Sequence, residues 1–309
     1  MKKAGKTLWI LSGLGAATGA AVLFTRELYR HSFMRDGSPL ISPLYERISG
    51  PGHEPAYYEK RDRLKEEIRT LPQFRLKMPS ARGEKLAGFY FPCEGSDGSR
   101  VAFLVHGYRS EHAETAGMYV DFYHRHGFDV FAPDNTAHGE SAGRFIGFDL
   151  FESEDCLRWI EFLKQRAGKP VRIILHGFSL GGATVMKMSS RVPEEVRFIV
   201  EDSGYTEACT LLRKSPLFPQ LKAIHKRLTG LDLKDTDVRP DLERAHVPIL
   251  FVQGTKDRLV PAENGPYLYE YYQGPKDCFF VPGARHIESM YVDPDGYAKK
   301  LEEMIGKYC

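Results

Sequence analysis

Three residues of this 309-residue chain have the types and placement for acyl chemistry. Ser179 sits in Gly177-Phe178-Ser179-Leu180-Gly181, between the apolar run "VRIIL" and the helix-forming run "ATVMKM". A serine alcohol is a poor nucleophile by itself. It needs a base to take its proton and a third group to hold that base. Asp257 follows the apolar run "VPILFVQG", and His286 follows "CFFVPG", so each lies on a loop at the carboxyl end of a strand. The flanking glycines suit a strand–turn–helix elbow whose tight backbone leaves no room for a Cβ. Such a turn is expected to strain the serine's own backbone. Without this context GxSxG is a weak pattern, and Ser179 reads as the N-cap of an ordinary βα turn.

Asp202, in "VEDSGY" at the end of the preceding strand, is a rival to Asp257 as the orienting acid. Both acids lie at strand ends, so residue type and placement alone leave the choice between them open. Negative charge developing on a carbonyl oxygen calls for two backbone N–H donors, each worth roughly 3 kcal/mol. Leu180, directly after the serine, offers one.

These residues need a scaffold, and the chain shows a regular one. From Phe74, "FRLKMPS" and "KLAGFYFP" read as two strands around the turn "ARGE". Apolar β-type runs follow at "VAFLVHG", "FDVFAPD", "VRIILHG", "VRFIVEDSG", "VPILFVQG" and "CFFVPG". Helical segments such as "AETAGMYVDFYHRHG" and "FESEDCLRWIEFLKQRAG" alternate with them. This alternation predicts an α/β fold, with a mostly parallel central sheet and helices on both faces. Ligand chemistry in such sheets gathers at the carboxyl ends of the strands. Residues 205–246 are too long for a simple crossover and are expected to form a short helical cap. Residues 74–309 thus form the main domain. Residues 26–73 form a charged extension in which "YYEKRDRLKEEIRTL" reads as a surface helix.

With Ser179, Asp257 and His286 in that order, each at the end of a different strand, the chain resembles the α/β-hydrolase superfamily over about residues 74–309. The resemblance implies that Ser179 attacks an acyl carbonyl, that His286 takes and returns the proton, and that Asp257 fixes the imidazole. His106-Gly107-Tyr108 resembles the family's HG signature, which makes the Tyr108 N–H the second oxyanion donor. Tyr108 and Phe178 are then candidate pocket walls. "APDNTAHGES" resembles the family's Asp-x-x-x-His-Gly-x-Ser turn, which makes Asp134, His138, Gly139 and Ser141 supports of the site. The "HGFSLGGA", "EDSGY" and "GTKDRLVP" motifs look most like bacterial single-domain esterases related to the prolyl-oligopeptidase branch. That implies a serine esterase of small acyl substrates working through an acyl-enzyme. Peptidase, thioesterase and acyltransferase activities use the same triad, and a non-catalytic binding protein on the same fold is the contrasting class.

Composition excludes several other classes. Net charge is only +2, with basic and acidic residues interleaved, which gives no case for nucleic acid. Five widely spaced cysteines form no CxxC pair or metal-like cluster, so neither a metal, another cofactor nor a disulfide framework is expected. Residues 1–25 hold an uncharged run from Thr7 to Thr25 behind Lys2, Lys3 and Lys6. That run is near the lower limit for a membrane span and is expected to be an uncleaved anchor holding the catalytic domain outside the cytoplasm, the alternative being a cleaved signal of a secreted protein. Oligomeric state is left open.

Overall fold

The computed structural model describes residues 19, 21–43, 53–212 and 215–309. Eight strands form a single sheet: β1 (Phe74–Pro79), β2 (Lys85–Phe91), β3 (Arg100–Val105), β4 (Asp129–Pro133), β5 (Arg172–Phe178), β6 (Val196–Asp202), β7 (Ile249–Gly254) and β8 (Lys276–Val281). Their spatial order is β1-β2-β4-β3-β5-β6-β7-β8. β2 pairs antiparallel with both β1 and β4, and every pairing from β4 to β8 is parallel. The ten helices of the described residues from Pro55 onward are α1 (Pro55–Thr70), α2 (His112–Arg125), α3 (Leu150–Ala167), α4 (Leu180–Met188), α5 (Ala208–Leu212), α6 (Phe218–Thr229), α7 (Arg239–Arg244), α8 (Asn264–Tyr271), α9 (Ser289–Val292) and α10 (Pro294–Tyr308).

The strand sequences explain the layering. Side chains alternate between sheet faces, and both faces of the parallel strands are apolar. Val101, Phe103 and Val105 of β3 and Ile173 and Leu175 of β5 face one core, shared with Trp159 of α3 and Val185 of α4. Ala102, Leu104 and Ile174 face the other, shared with Tyr123 of α2 and Tyr297 and Leu301 of α10. Strand register then sets the chemistry-bearing edge. Val105 pairs with Gly177, Phe178 with Asp202, and Gly254 with Val281, so the loops after β3, β5, β6, β7 and β8 open on one side.

A third apolar cluster lies above that side. Tyr29 and Phe33, from a helix spanning 21–33, pack with Leu221 of α6, Leu233 of the 3-10 turn Leu233–Thr236, and Leu180 and Ala183 of α4. The 205–246 segment, as far as it is described, consists of α5, α6, this turn and α7.

The expected membrane anchor is corrected. Residues 1–18 and 20, most of the uncharged run, lie outside the described residues. Among the described residues no helix is long and apolar enough to cross a membrane. The part of the run that is described continues into a helix carrying Arg26, Glu27 and Arg30, with Glu27 bonded to Ser38 at 2.8 Å and Tyr29 and Phe33 buried against the domain. This charged, docked helix removes the basis for the transmembrane assignment and for the extracytoplasmic placement drawn from it.

Candidate active site

The elbow is built as tightly as its glycines suggest. Ser179 has φ 54° and ψ −113°, a positive φ that non-glycine residues rarely adopt. A methyl at Gly177 would collide with the Gly181 carbonyl, and one at Gly181 with the Val105 carbonyl. The strained serine is held from below, where its N–H donates to the Asp202 carbonyl at 2.8 Å.

His286 Nε2 lies 2.8 Å from Ser179 Oγ, and its Nδ1 lies 2.7 Å from Asp257 Oδ2. Asp257 is 5% exposed and its carboxylate is saturated with donors. Oδ1 accepts the N–H groups of Leu259 (2.9 Å) and Val260 (3.0 Å), and Oδ2 also accepts from Gln253 Nε2 at 2.8 Å. An acceptor-only carboxylate assigns the hydrogen to His286 Nδ1, which leaves the Nε2 lone pair facing the serine hydroxyl. That tautomer can accept the serine's proton.

The rival acid is placed elsewhere. Asp202 accepts from Ser203 Oγ (2.8 Å) and Tyr297 Oη (2.9 Å), and no hydrogen bond joins its side chain to His286. Tyr297 in turn accepts from His176 Nε2 at 2.9 Å, and His176 Nδ1 accepts from Tyr123 Oη at 2.9 Å. Burial pushes the Asp202 carboxyl up to about 6, against these hydroxyl donors. Burial holds His176 well below the ordinary imidazole range, so it stays neutral between its two phenols.

The loop after β3 lies against the nucleophile. A methyl on Gly107 would approach Ser179 Cβ to 3.3 Å and Oγ to 4.0 Å. Leu180 is the first residue of α4, where a helix leaves its N–H groups without intrahelical acceptors. The Tyr108 phenol is tied to the helix at 21–33, through the carbonyls of His31 (2.9 Å) and Ser32 (3.2 Å). His106 and His138 are braces. His106 Nε2 accepts the Asn135 N–H at 2.9 Å, and His138 Nε2 accepts the Arg109 N–H at 3.1 Å. Burial lowers both imidazoles, His138 to about 3. Asp134 caps the same turn by accepting the N–H groups of His112 (2.8 Å) and Glu140 (2.7 Å), and Ser141 Oγ accepts the Ala87 N–H at 2.9 Å.

A cavity of about 260 Å³ opens beside Ser179 and His286. Phe178 and Tyr108 both line it, and so do His53, Tyr57 and Arg61 of the N-terminal extension. These last three were invisible to motif reading, because α1 has the composition of a solvated helix. The available signal was the i, i+4 spacing of Tyr57 and Arg61, which puts both on one helix face. Docking of α1 depends on Gly117 of α2, where a methyl would meet the Leu64 carbonyl at 2.8 Å. Lys65 adds ion pairs to Glu111 (2.7 Å) and Glu114 (3.1 Å). A second concavity, between α7 and α8, is larger at about 760 Å³, but none of Ser179, Asp257 or His286 lines it.

Similarity to known proteins agrees with this architecture. A family model described as serine aminopeptidase, S33, matches residues 97–204, which include the elbow. The uncharacterised protein YqkD of Bacillus subtilis (strain 168) is 20% identical over 307 residues, 96% of each chain. The esterase Pf2001 of Pyrococcus furiosus superposes with a TM-score of 0.63 at 21% identity, covering 78% of this chain and 95% of its own. A thermostable carboxyl esterase of Bacillus coagulans gives 0.62 at 14% identity, covering 77% and 99%. The chain has the α/β-hydrolase fold of these structures.

Proposed function

We propose that this protein is a serine hydrolase that cleaves small acyl esters through an acyl-enzyme. The observation that carries the proposal is the unbroken hydrogen-bonded line from Ser179 through His286 to Asp257. In this reading Ser179 Oγ attacks the ester carbonyl carbon while His286 Nε2 takes the hydroxyl proton. Asp257 steadies the imidazolium that forms. The tetrahedral oxyanion sits between the backbone N–H groups of Leu180 and Tyr108. Collapse passes the proton from His286 to the departing alkoxide, and a water activated by the same imidazole then releases the acid. The structural likeness to two esterases supports ester cleavage.

The matched family description favours a second reading, release of amino-terminal residues from peptides. A panel of nitrophenyl esters of rising chain length, run beside a thioester and an aminoacyl nitroanilide, separates the two. The proposal expects kcat/KM to be highest on short esters. Preference for the nitroanilide would replace the first reading with the second.

A further inference from the structure

The substrate cavity carries a charge bias that neither the triad nor the fold requires. Of its charged lining residues, Glu114 is already engaged, by Lys65 at 3.1 Å and Ser110 Oγ at 2.7 Å. The two arginines are not balanced in the same way. Arg109 bonds carbonyl oxygens and the Tyr108 hydroxyl, and no carboxylate among the described residues pairs with it. Arg61 has one carboxylate partner, Asp62, which is 60% exposed, while the Arg61 side chain is only 27% exposed. A pair so open to water is weak and exchangeable. Both of its bonds use Nε and Nη2, which leaves Nη1 without an acceptor among the described residues.

Tyr57, one helical turn before Arg61, supplies the independent observation. It is 4% exposed and lines the cavity, and its hydroxyl has no hydrogen-bond partner among the described residues. On a side chain this buried, a hydroxyl without a protein partner is left for an occupant of the cavity. Burial raises its phenol well above the ordinary range, so it remains a donor. The rest of the wall is apolar or aromatic, with Met118, Tyr119 and Phe178. At about 260 Å³ the cavity lies below the usual 300–1,000 Å³ range of drug-sized ligand sites.

We infer that the cavity accepts a short acyl group ending in an anion, with Arg61 Nη1 and the Tyr57 hydroxyl as its donors. The substrate class is then hemiesters of short dicarboxylic acids. A cationic amino terminus would meet the wrong charge there. This inference rests on the ester-hydrolase reading above and deepens it, and the test keeps the two apart.

The test compares 4-nitrophenyl hydrogen adipate with 4-nitrophenyl hexanoate, six-carbon chains that differ in the terminal carboxylate. The wild type is expected to favour the adipate by about 10-fold in kcat/KM, the scale of a charge-assisted contact. Arg61→Leu should bring the ratio close to one, and Tyr57→Phe should lower it by a smaller factor. Arg63→Leu, on the exposed side of the same helix at 68% side-chain exposure, should keep the wild-type ratio. Added salt should reduce the preference. Ser179-dependent hydrolysis of hexanoate without adipate preference would overturn this inference alone, and so would a preference that survives Arg61→Leu. No Ser179-dependent hydrolysis of either ester would overturn the hydrolase reading along with it.

Discussion

The Tyr108 hydroxyl donates to the carbonyl oxygen of His31 at 2.9 Å, tying the loop after β3 to the end of the helix at 21–33. Arg109 reinforces the tie by donating to the carbonyls of Met34 (2.9 Å) and Arg35 (3.2 Å). A helix end leaves carbonyls without internal partners, and the loop uses them. The proposed oxyanion donor, the Tyr108 N–H, is therefore positioned by a segment more than 70 residues away in sequence. Arg109→Ala is expected to lower kcat on a nitrophenyl ester by about 10-fold, part of the 10²–10³ cost of losing such a donor outright. KM should move less. A change confined to KM would contradict this role.

The two buried acids at the strand ends should behave very differently. Asp257→Asn is expected to cost about 10⁴-fold in kcat, and His286→Ala about 10⁶-fold, by analogy with serine proteases. Asp202→Asn keeps an acceptor for Tyr297 and should stay within about threefold of wild type, because Asp202 has no hydrogen bond to His286. Steady-state kinetics on the three variants decide the matter. A larger loss at Asp202 than at Asp257 would reverse the assignment.

Gly181 has no steric allowance. A methyl there would overlap the Val105 carbonyl, and backbone on both sides prevents relief. Gly181→Ala is expected to destabilise by about 3 kcal/mol or more, lowering the melting temperature by roughly 5–10 °C. Thermal melting checks this. An unchanged melting temperature would mean that the elbow is looser than described.

A pH effect on stability should come from beneath α3. Glu152 is fully buried, its Oε1 accepts the Gly147 N–H at 2.9 Å, and its Oε2 has no partner among the described residues. Burial pushes its carboxyl up to about 7, against that amide donor. Its unfolded value is about 4.3. A raised folded value means that the native state holds the proton more tightly, so this stabilisation is complete below about pH 4 and is lost as pH rises through 7. Asp202, raised to about 6, acts in the same direction. Melting temperatures are expected to fall between pH 5 and 8, and Glu152→Gln should flatten part of that fall. Parallel profiles for wild type and variant would contradict it.

Much of the fold was legible because its strands are short, its central ones are buried on both faces, and glycine, proline or aspartate bounds them. All eight segments read as strands are strands, and the parallel order of the last six follows from the helices between them. Ser179, Asp257 and His286 could be picked out as strand-end residues, since a parallel sheet gathers those ends on one edge. What the pattern did not reveal depends on tertiary contact. The amphipathic α1 carries its charges on and around the face that meets α2 and the cavity, so its composition resembles a solvated helix while Tyr57 and Ile68 are buried. The Tyr108 side chain could be read only as a pocket wall, whereas its hydroxyl also reaches the carbonyls of His31 and Ser32, on a segment with no motif. The uncharged run at residues 7–25 suggested an anchor by hydropathy alone, a measure blind to the docking of Tyr29 and Phe33 just beyond it.

The most direct test of the central claim is labelling with a fluorophosphonate, followed by mass spectrometry of the adduct. The account predicts a single adduct on Ser179, absent in Ser179→Ala and strongly slowed in His286→Ala. Labelling that persists in Ser179→Ala, or none in the wild type, would contradict it.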